Sequence, residues 1–148
     1  VKPKIALLEN VTGILRAFNV NGEKYYAWYE VAKAFAVEGY IPICLHVNAK
    51  FVGAGQNRPR FVMIALEKKF AQKIRKKSKD AAFEDALQES FEFFDLVRNG
   101  KEDLEYGHLS YHDVEHCSGL FDTKIFSPLV THRKSTIDFV TVKDAIDD

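Results

Sequence analysis

The first apolar segment, Ile5-Ala6-Leu7-Leu8, is continuous rather than alternating. A short continuous run predicts a strand buried on both faces, as in a parallel sheet covered by helices. Glu9-Asn10 follows at once. A polar pair at the C-terminal end of such a strand stands where open α/β sheets place ligand chemistry. Residues 19–22 form a turn cluster. From 23 to 38 the spacing turns helical, with Tyr25, Trp28, Val31, Ala32 and Phe35 on one stripe, and Gly39 marks the stop. Residues 40–47 alternate, with Ile41, Ile43, Leu45 and Val47 on one side and Tyr40, Pro42, Cys44 and His46 on the other. That predicts a strand, and Pro42 places it at or near a sheet edge. Residues 48–59 read as a loop in which Gly53 and Gly55 permit unusual backbone angles. Residues 61–66 are another apolar strand. The first 66 residues therefore predict strand-helix-strand-loop-strand, an α/β order.

The second half has a different texture. Residues 67–79 hold seven basic side chains: Lys68, Lys69, Lys73, Arg75, Lys76, Lys77 and Lys79. Residues 80–98 predict an acidic amphipathic helix, with Phe83, Leu87, Phe91 and Phe94 on one face, closed by Asn99-Gly100. Residues 101–129 read mostly as loop with room for a short helix, and 139–148 as a strand end and a helix start.

Charge narrows the partner. Lys+Arg and Asp+Glu both count 21 in 148 residues. That excludes a uniformly basic nucleic-acid coat but leaves a local basic patch open. Two cysteines, 73 positions apart, exclude a disulfide scaffold and a cysteine-only zinc site, and they fit a reducing compartment. No apolar run approaches the ~20 residues that span a bilayer. The chain opens on Val1 and its one methionine is Met63, as expected of a piece of a longer protein.

Two local patterns carry chemistry. One is Glu9-Asn10-Val11. The other is Gln56-Asn57-Arg58-Pro59-Arg60, just before a strand. A carboxylate and a guanidinium converging on one pocket can read a planar heterocycle. The carboxyl group meets a ring nitrogen and an amino group, and the guanidinium meets a carbonyl oxygen. Glu9-Asn10-Val11 resembles the Glu-Asn-Val motif of the cytosine-C5 DNA methyltransferases. Residues 48–61 resemble that family's Gln-x-Arg-x-Arg motif, with its Asn-Ala lead-in (Asn48-Ala49) and loop glycine. Residues 141–148 resemble the family's segment before its target-recognition domain.

The resemblance implies a Rossmann-like S-adenosylmethionine-dependent fold, here partial, and a base-flipping mechanism acting on double-stranded DNA, in the cytoplasm or at the nucleoid. The target cytosine leaves the duplex, because its ring atoms are unreachable inside the stack. A thiolate adds to C6, and C5 takes the methyl group. Carried over, Glu9 binds ring N3 and the amino group, Arg60 holds O2, and Arg58 braces the pocket or a flanking phosphate. Asn10, Val11 and Gln56 shape the backbone around the base. The family's Phe-x-Gly-x-Gly cofactor loop and Pro-Cys nucleophile have no counterpart here. Gly55 replaces a usual proline and Val52 an aromatic residue. The expectation is a central fragment, inactive alone and without its own cofactor site. Residues 1–66 are read as catalytic-domain core, 67–138 as a helical and loop insert, and 139–148 as the approach to a missing domain. Its partners are then DNA and the missing parts of the enzyme, or a complementary chain.

Competing readings attach to three features. Cys44 sits inside an alternating strand, not after a proline in a loop, so it reads as a structural thiol. His108, His112 and His116 fall at i, i+4, i+8, and His112 to His116 fit the inverted zinc-peptidase pattern H-x-x-E-H. A zinc hydrolase is thus the third reading, after the methyltransferase and a non-catalytic DNA-binding chain of a split enzyme. Gly107 and Gly119 leave that cluster barely three turns of helix. The basic run at 68–79 is either a solvated face or a set of phosphate contacts.

Overall fold

The computed structural model of the chain describes residues 2–49, 56–77, 81–100 and 104–113. A four-stranded sheet forms the centre, in the order β1-β5-β4-β6. Its strands are β1 (Ile5–Val11), β4 (Tyr40–Asn48), β5 (Pro59–Glu67) and β6 (Tyr111–Asp113). β1 and β4 both run antiparallel to β5, and β6 runs parallel to β4. A separate hairpin pairs β2 (Ala17–Val20) with β3 (Glu23–Tyr26). The helices are α1 (Ala27–Val37), α2 (Lys68–Arg75) and α3 (Ala81–Arg98). The order is α/β, as the hydrophobic pattern predicts, but the sheet is mixed. Among the described residues no helix is long and apolar enough to cross a membrane.

Register assigns the two faces. Phe61, Met63, Cys44 and Tyr111 share one, because opposite residues point the same way. Trp28 lays its indole against Phe61 and Tyr111, so α1 covers that face. His112, opposite Leu45, lies on the other face and meets Glu89 of α3. α3 therefore covers the second face, burying Ile41, Ile43 and Leu45 beneath its Leu87 and Phe94 side. The two helices also touch each other through Tyr29 and Phe93.

Two expectations are corrected. β1 is not a strand buried on both faces of a parallel sheet. It pairs antiparallel with β5 alone among the described residues, and Leu7 is 72% exposed. Only Ala6 and Leu8 turn toward packed neighbours, because α3 reaches over β4 and leaves β1 open. The predicted helix over 23–38 begins four residues late, since residues 23–26 form β3. Asn21 and Gly22 both have positive φ, 53° and 89°. That pair makes the primed turn that suits a two-residue hairpin. Within 101–129 the described residues 104–113 hold the strand Tyr111–Asp113, and the rest of that range lies outside the described residues. Finally, the strand on 40–47 has neighbours on both sides, but β6 pairs only with Cys44 to His46. Pro42 lies before that stretch, where no backbone N–H is needed on the outer side, so its near-edge reading holds. The segment 139–148 lies outside the described residues.

Helices α2 and α3 pack together by burying their apolar sides while their charges pair at the rim. Glu67 caps α2, accepting the Phe70 N–H at 2.9 Å, and this bond holds its carboxyl below the usual range. Arg75 reaches Glu84 at 3.2 Å and also bonds Gln88, and Lys68 lies 3.7 Å from Asp95.

Candidate active site

β1 and β4 end, and β5 begins, at the same end of the sheet. Val11 stands opposite Arg60 in the β1/β5 ladder, and Glu9 is two residues before Val11. Period two along a strand therefore puts Glu9, Val11 and Arg60 on one face. It is the face that α3 covers farther along but leaves open here. Arg60 Nε meets Glu9 Oε1 at 2.7 Å, and Arg60 Nη1 donates to the Pro59 carbonyl oxygen at 2.8 Å. The Arg60 side chain is 21% exposed and that of Glu9 62%. The guanidinium is thus seated and the carboxylate faces solvent. An ion pair this exposed is worth only about 0–1 kcal/mol, so an incoming polar ring can part it cheaply.

The loop ahead of Arg60 is closed by Asn48, the last residue of β4. Its Oδ1 accepts the Arg58 N–H at 3.0 Å, and its Nδ2 donates to Asn57 Oδ1 at 2.7 Å. The Ala49 N–H adds a bond to the Arg58 carbonyl oxygen at 3.1 Å. One side-chain amide thereby holds residues 57–58 against the end of β4 and sets where Arg60 enters the sheet. Sequence reasoning quoted Asn48 as a lead-in and gave it no role. The signal was an Asn at a strand end ten residues before an arginine, which register alone converts into a clamp.

The remaining site residues fall as follows. Asn10 points to the opposite face from Glu9, and its Oδ1 accepts the Val11 N–H at 2.8 Å, shaping the turn that follows β1. Val11 is 55% exposed beside Arg60. Arg58 and Gln56 are both exposed at the same end of the sheet. The structure thus unites Glu9 with Arg60, leaves Arg58 exposed at the same end of the sheet, and turns Asn10 away.

Cys44 is 1% exposed in mid-β4, and burial pushes its thiol far up, so it holds no ready thiolate. The structural reading stands, and Cys117 lies outside the described residues. His108 is exposed in a non-helical stretch, and His112 sits in β6, 3.6 Å from Glu89. Helical spacing therefore does not bring these two together, and His116 lies outside the described residues. Among the described residues no group of three His, Cys, Asp or Glu side chains is placed to hold a metal. The basic run that carries α2 follows the far end of β5. Seven strand steps of about 3.3 Å separate Arg60 from Glu67, roughly 23 Å. The run thus begins at the opposite end of the sheet from the Glu9–Arg60 corner.

A model of the family described as C-5 cytosine-specific DNA methylase matches residues 1–143. No curated protein and no solved structure matches the chain.

Proposed function

The chain belongs to the C-5 cytosine-specific DNA methylase family, and we propose that its Glu9–Arg60 corner is the part of the catalytic centre that holds the cytosine ring. The observation that carries this reading is the 2.7 Å approach of the two side chains on one open face of one sheet end. A flipped cytosine parts the pair and takes both partners. Glu9 shares a proton with ring N3 and accepts from the 4-amino group, while Arg60 donates to O2. As charge builds on the ring during addition to C6, the Glu9 contact tightens, so it favours the transition state over the ground state. Arg58 braces the base or its phosphate.

The family uses S-adenosylmethionine as its methyl donor. The described strand ends of this chain carry Glu9, Asn10 and Asn48, and β1 runs into a 3-10 turn at Thr12–Leu15. None of these is a glycine-rich strand-to-helix turn of the kind that seats such a cofactor. These residues do not fit the cofactor. The attacking thiolate also has no source in β4, where Cys44 is sealed. We therefore read 1–66 as the ring-binding core of a Rossmann-like catalytic domain, 67–138 as its insert and 139–148 as the approach to a recognition domain. The thiol and the cofactor site come from the complement of that domain, on the same polypeptide or on a second chain. The outer edge of β1, which has no partner strand among the described residues, favours this, because an unpaired edge strand is a template for a further strand.

The test is binding by the chain itself to duplexes that carry, opposite an abasic site, either a cytosine or a second abasic position. The expected preference for cytosine is about 10-fold, roughly 1.4 kcal/mol. Glu9→Gln and Arg60→Ala should each abolish it. A wild-type chain that binds both duplexes equally would remove the assignment.

A further inference from the structure

The β2–β3 hairpin stands apart from the central sheet, and every residue from Ala17 to Lys24 is exposed. Phe18 is opposite Tyr25 in the register and stacks on it, with ring centroids 6.0 Å apart at 28°. Val20 shares that face, so Phe18 and Val20, 47% and 43% exposed, form an apolar strip in water. Glu23, also on this face, accepts the Tyr25 hydroxyl at 2.8 Å. Arg16 is exposed at the foot, and Lys24, opposite Asn19, is exposed on the other face of the ribbon. The Asn21-Gly22 turn, with both φ positive, holds the ribbon in one shape.

The foot of the hairpin lies at the Glu9–Arg60 end of the sheet. It leaves β1 through the 3-10 turn at Thr12–Leu15 and returns into α1, whose Trp28 packs on Phe61, the neighbour of Arg60. Four residues per strand carry the tip about 13 Å beyond that foot. A two-stranded ribbon is the width that the major groove of B-DNA admits.

We propose that this hairpin is a DNA-contacting ribbon, which lies in the groove beside the extruded cytosine with Phe18 and Val20 against base edges and Arg16 and Lys24 on the flanking phosphates. The proposal rests on the reading of the Glu9–Arg60 corner as the cytosine site, since that corner fixes where the duplex runs. Chemistry agrees with it. Apolar side chains meet base edges and thymine methyl groups, and Arg16 at the foot and Lys24 on the other face of the ribbon, two cations against the one carboxylate of Glu23, are available to the phosphates of the groove walls. A protein partner for the same strip is the competing occupant, and the experiment separates the two.

The experiment measures affinity of the chain for the cytosine and abasic duplexes by fluorescence anisotropy across a salt series. Phe18→Ser/Val20→Ser should weaken binding to both duplexes by the same factor, about 10-fold, while leaving the preference for cytosine intact. Arg16→Ser/Lys24→Ser should lower the slope of log K against log salt by about 1.8, the loss of two phosphate contacts. This second pair carries no apolar strip, so it keeps the proposal testable if the serine pair loosens the hairpin. Wild-type affinity and wild-type salt slope in both pairs would overturn the ribbon and assign the strip to a protein partner. A wild-type chain that binds neither duplex would overturn it as well. Loss of affinity in the hairpin variants with no cytosine preference in the wild type would keep the ribbon and sink the reading of Glu9 and Arg60.

Discussion

Asn48→Ala tests whether one strand-end amide sets the corner proposed to bind cytosine. The substitution deletes the acceptor of the Arg58 N–H at 3.0 Å and the donor to Asn57 at 2.7 Å. Each net hydrogen bond is worth about 0.5–1.5 kcal/mol, so the pair predicts a loss of about 2 kcal/mol. For a chain of this length that lowers the thermal midpoint by about 4–8 °C. The local effect is the sharper one. The Arg58 amide loses its partner, and its hydrogen exchange should quicken by at least about 10-fold, while amides in the middle of β5 change only with global stability. Cytosine preference should fall although Asn48 touches no base in the proposed complex, because Arg60 is no longer entered into the sheet at a fixed point. Asn48→Asp keeps the acceptor, and Asn57 can turn its amide to donate, so much of the loss should return. Differential scanning calorimetry and amide exchange read both variants. An Asn48→Ala chain with an unchanged midpoint and unchanged Arg58 exchange would refute the clamp.

The remaining expectations concern the cap, the core, the thiol and turnover. The Glu67 carboxyl is held below its usual range by the Phe70 N–H, so its contribution is present above the unfolded pKa of about 4.3 and is lost as pH falls through the folded value. Glu67→Gln should therefore show a shallower fall in urea midpoint between pH 6 and pH 3, and a parallel fall would deny the cap its charge. Trp28→Ala removes a 0% exposed indole from between α1 and the sheet and should cost about 3–5 kcal/mol by urea unfolding. A loss below about 1 kcal/mol would mean that α1 is not seated as described. Cys44 should resist iodoacetamide in the native chain and react once urea unfolds it, as mass spectrometry of peptides will show. The chain alone should transfer no methyl group from S-adenosylmethionine to DNA, and tritium incorporation above background would move the nucleophile back into this chain.

The pattern of residues alone determines a good deal of this protein. The alternation over 40–47 is a strand because one side of it must be buried, and α3 follows from the spacing of Leu87, Phe91 and Phe94. Both patterns are local consequences of backbone period, so they survive without knowledge of neighbours. The Glu9-Asn10-Val11 and Gln56-to-Arg60 segments likewise carry a family resemblance in sequence, and the family they resemble is the one whose model matches residues 1–143. Other features are legible only in part. Asn21-Gly22 is a hairpin signal, yet Tyr25, Trp28, Val31 and Phe35 keep helical spacing through it. A stripe that mixes hairpin and helix residues cannot say where one ends. What only the tertiary structure decided is pairing across distance. An apolar run such as Ile5 to Leu8 reads the same at a sheet centre and at an edge, since its burial depends on which elements arrive beside it. β6 is three residues long, and it is a strand because Cys44 to His46 offer an open parallel edge and Glu89 accepts the Ser110 N–H at 3.0 Å. The Glu9–Arg60 contact joins residues 51 positions apart, and it exists because antiparallel register brings Val11 opposite Arg60.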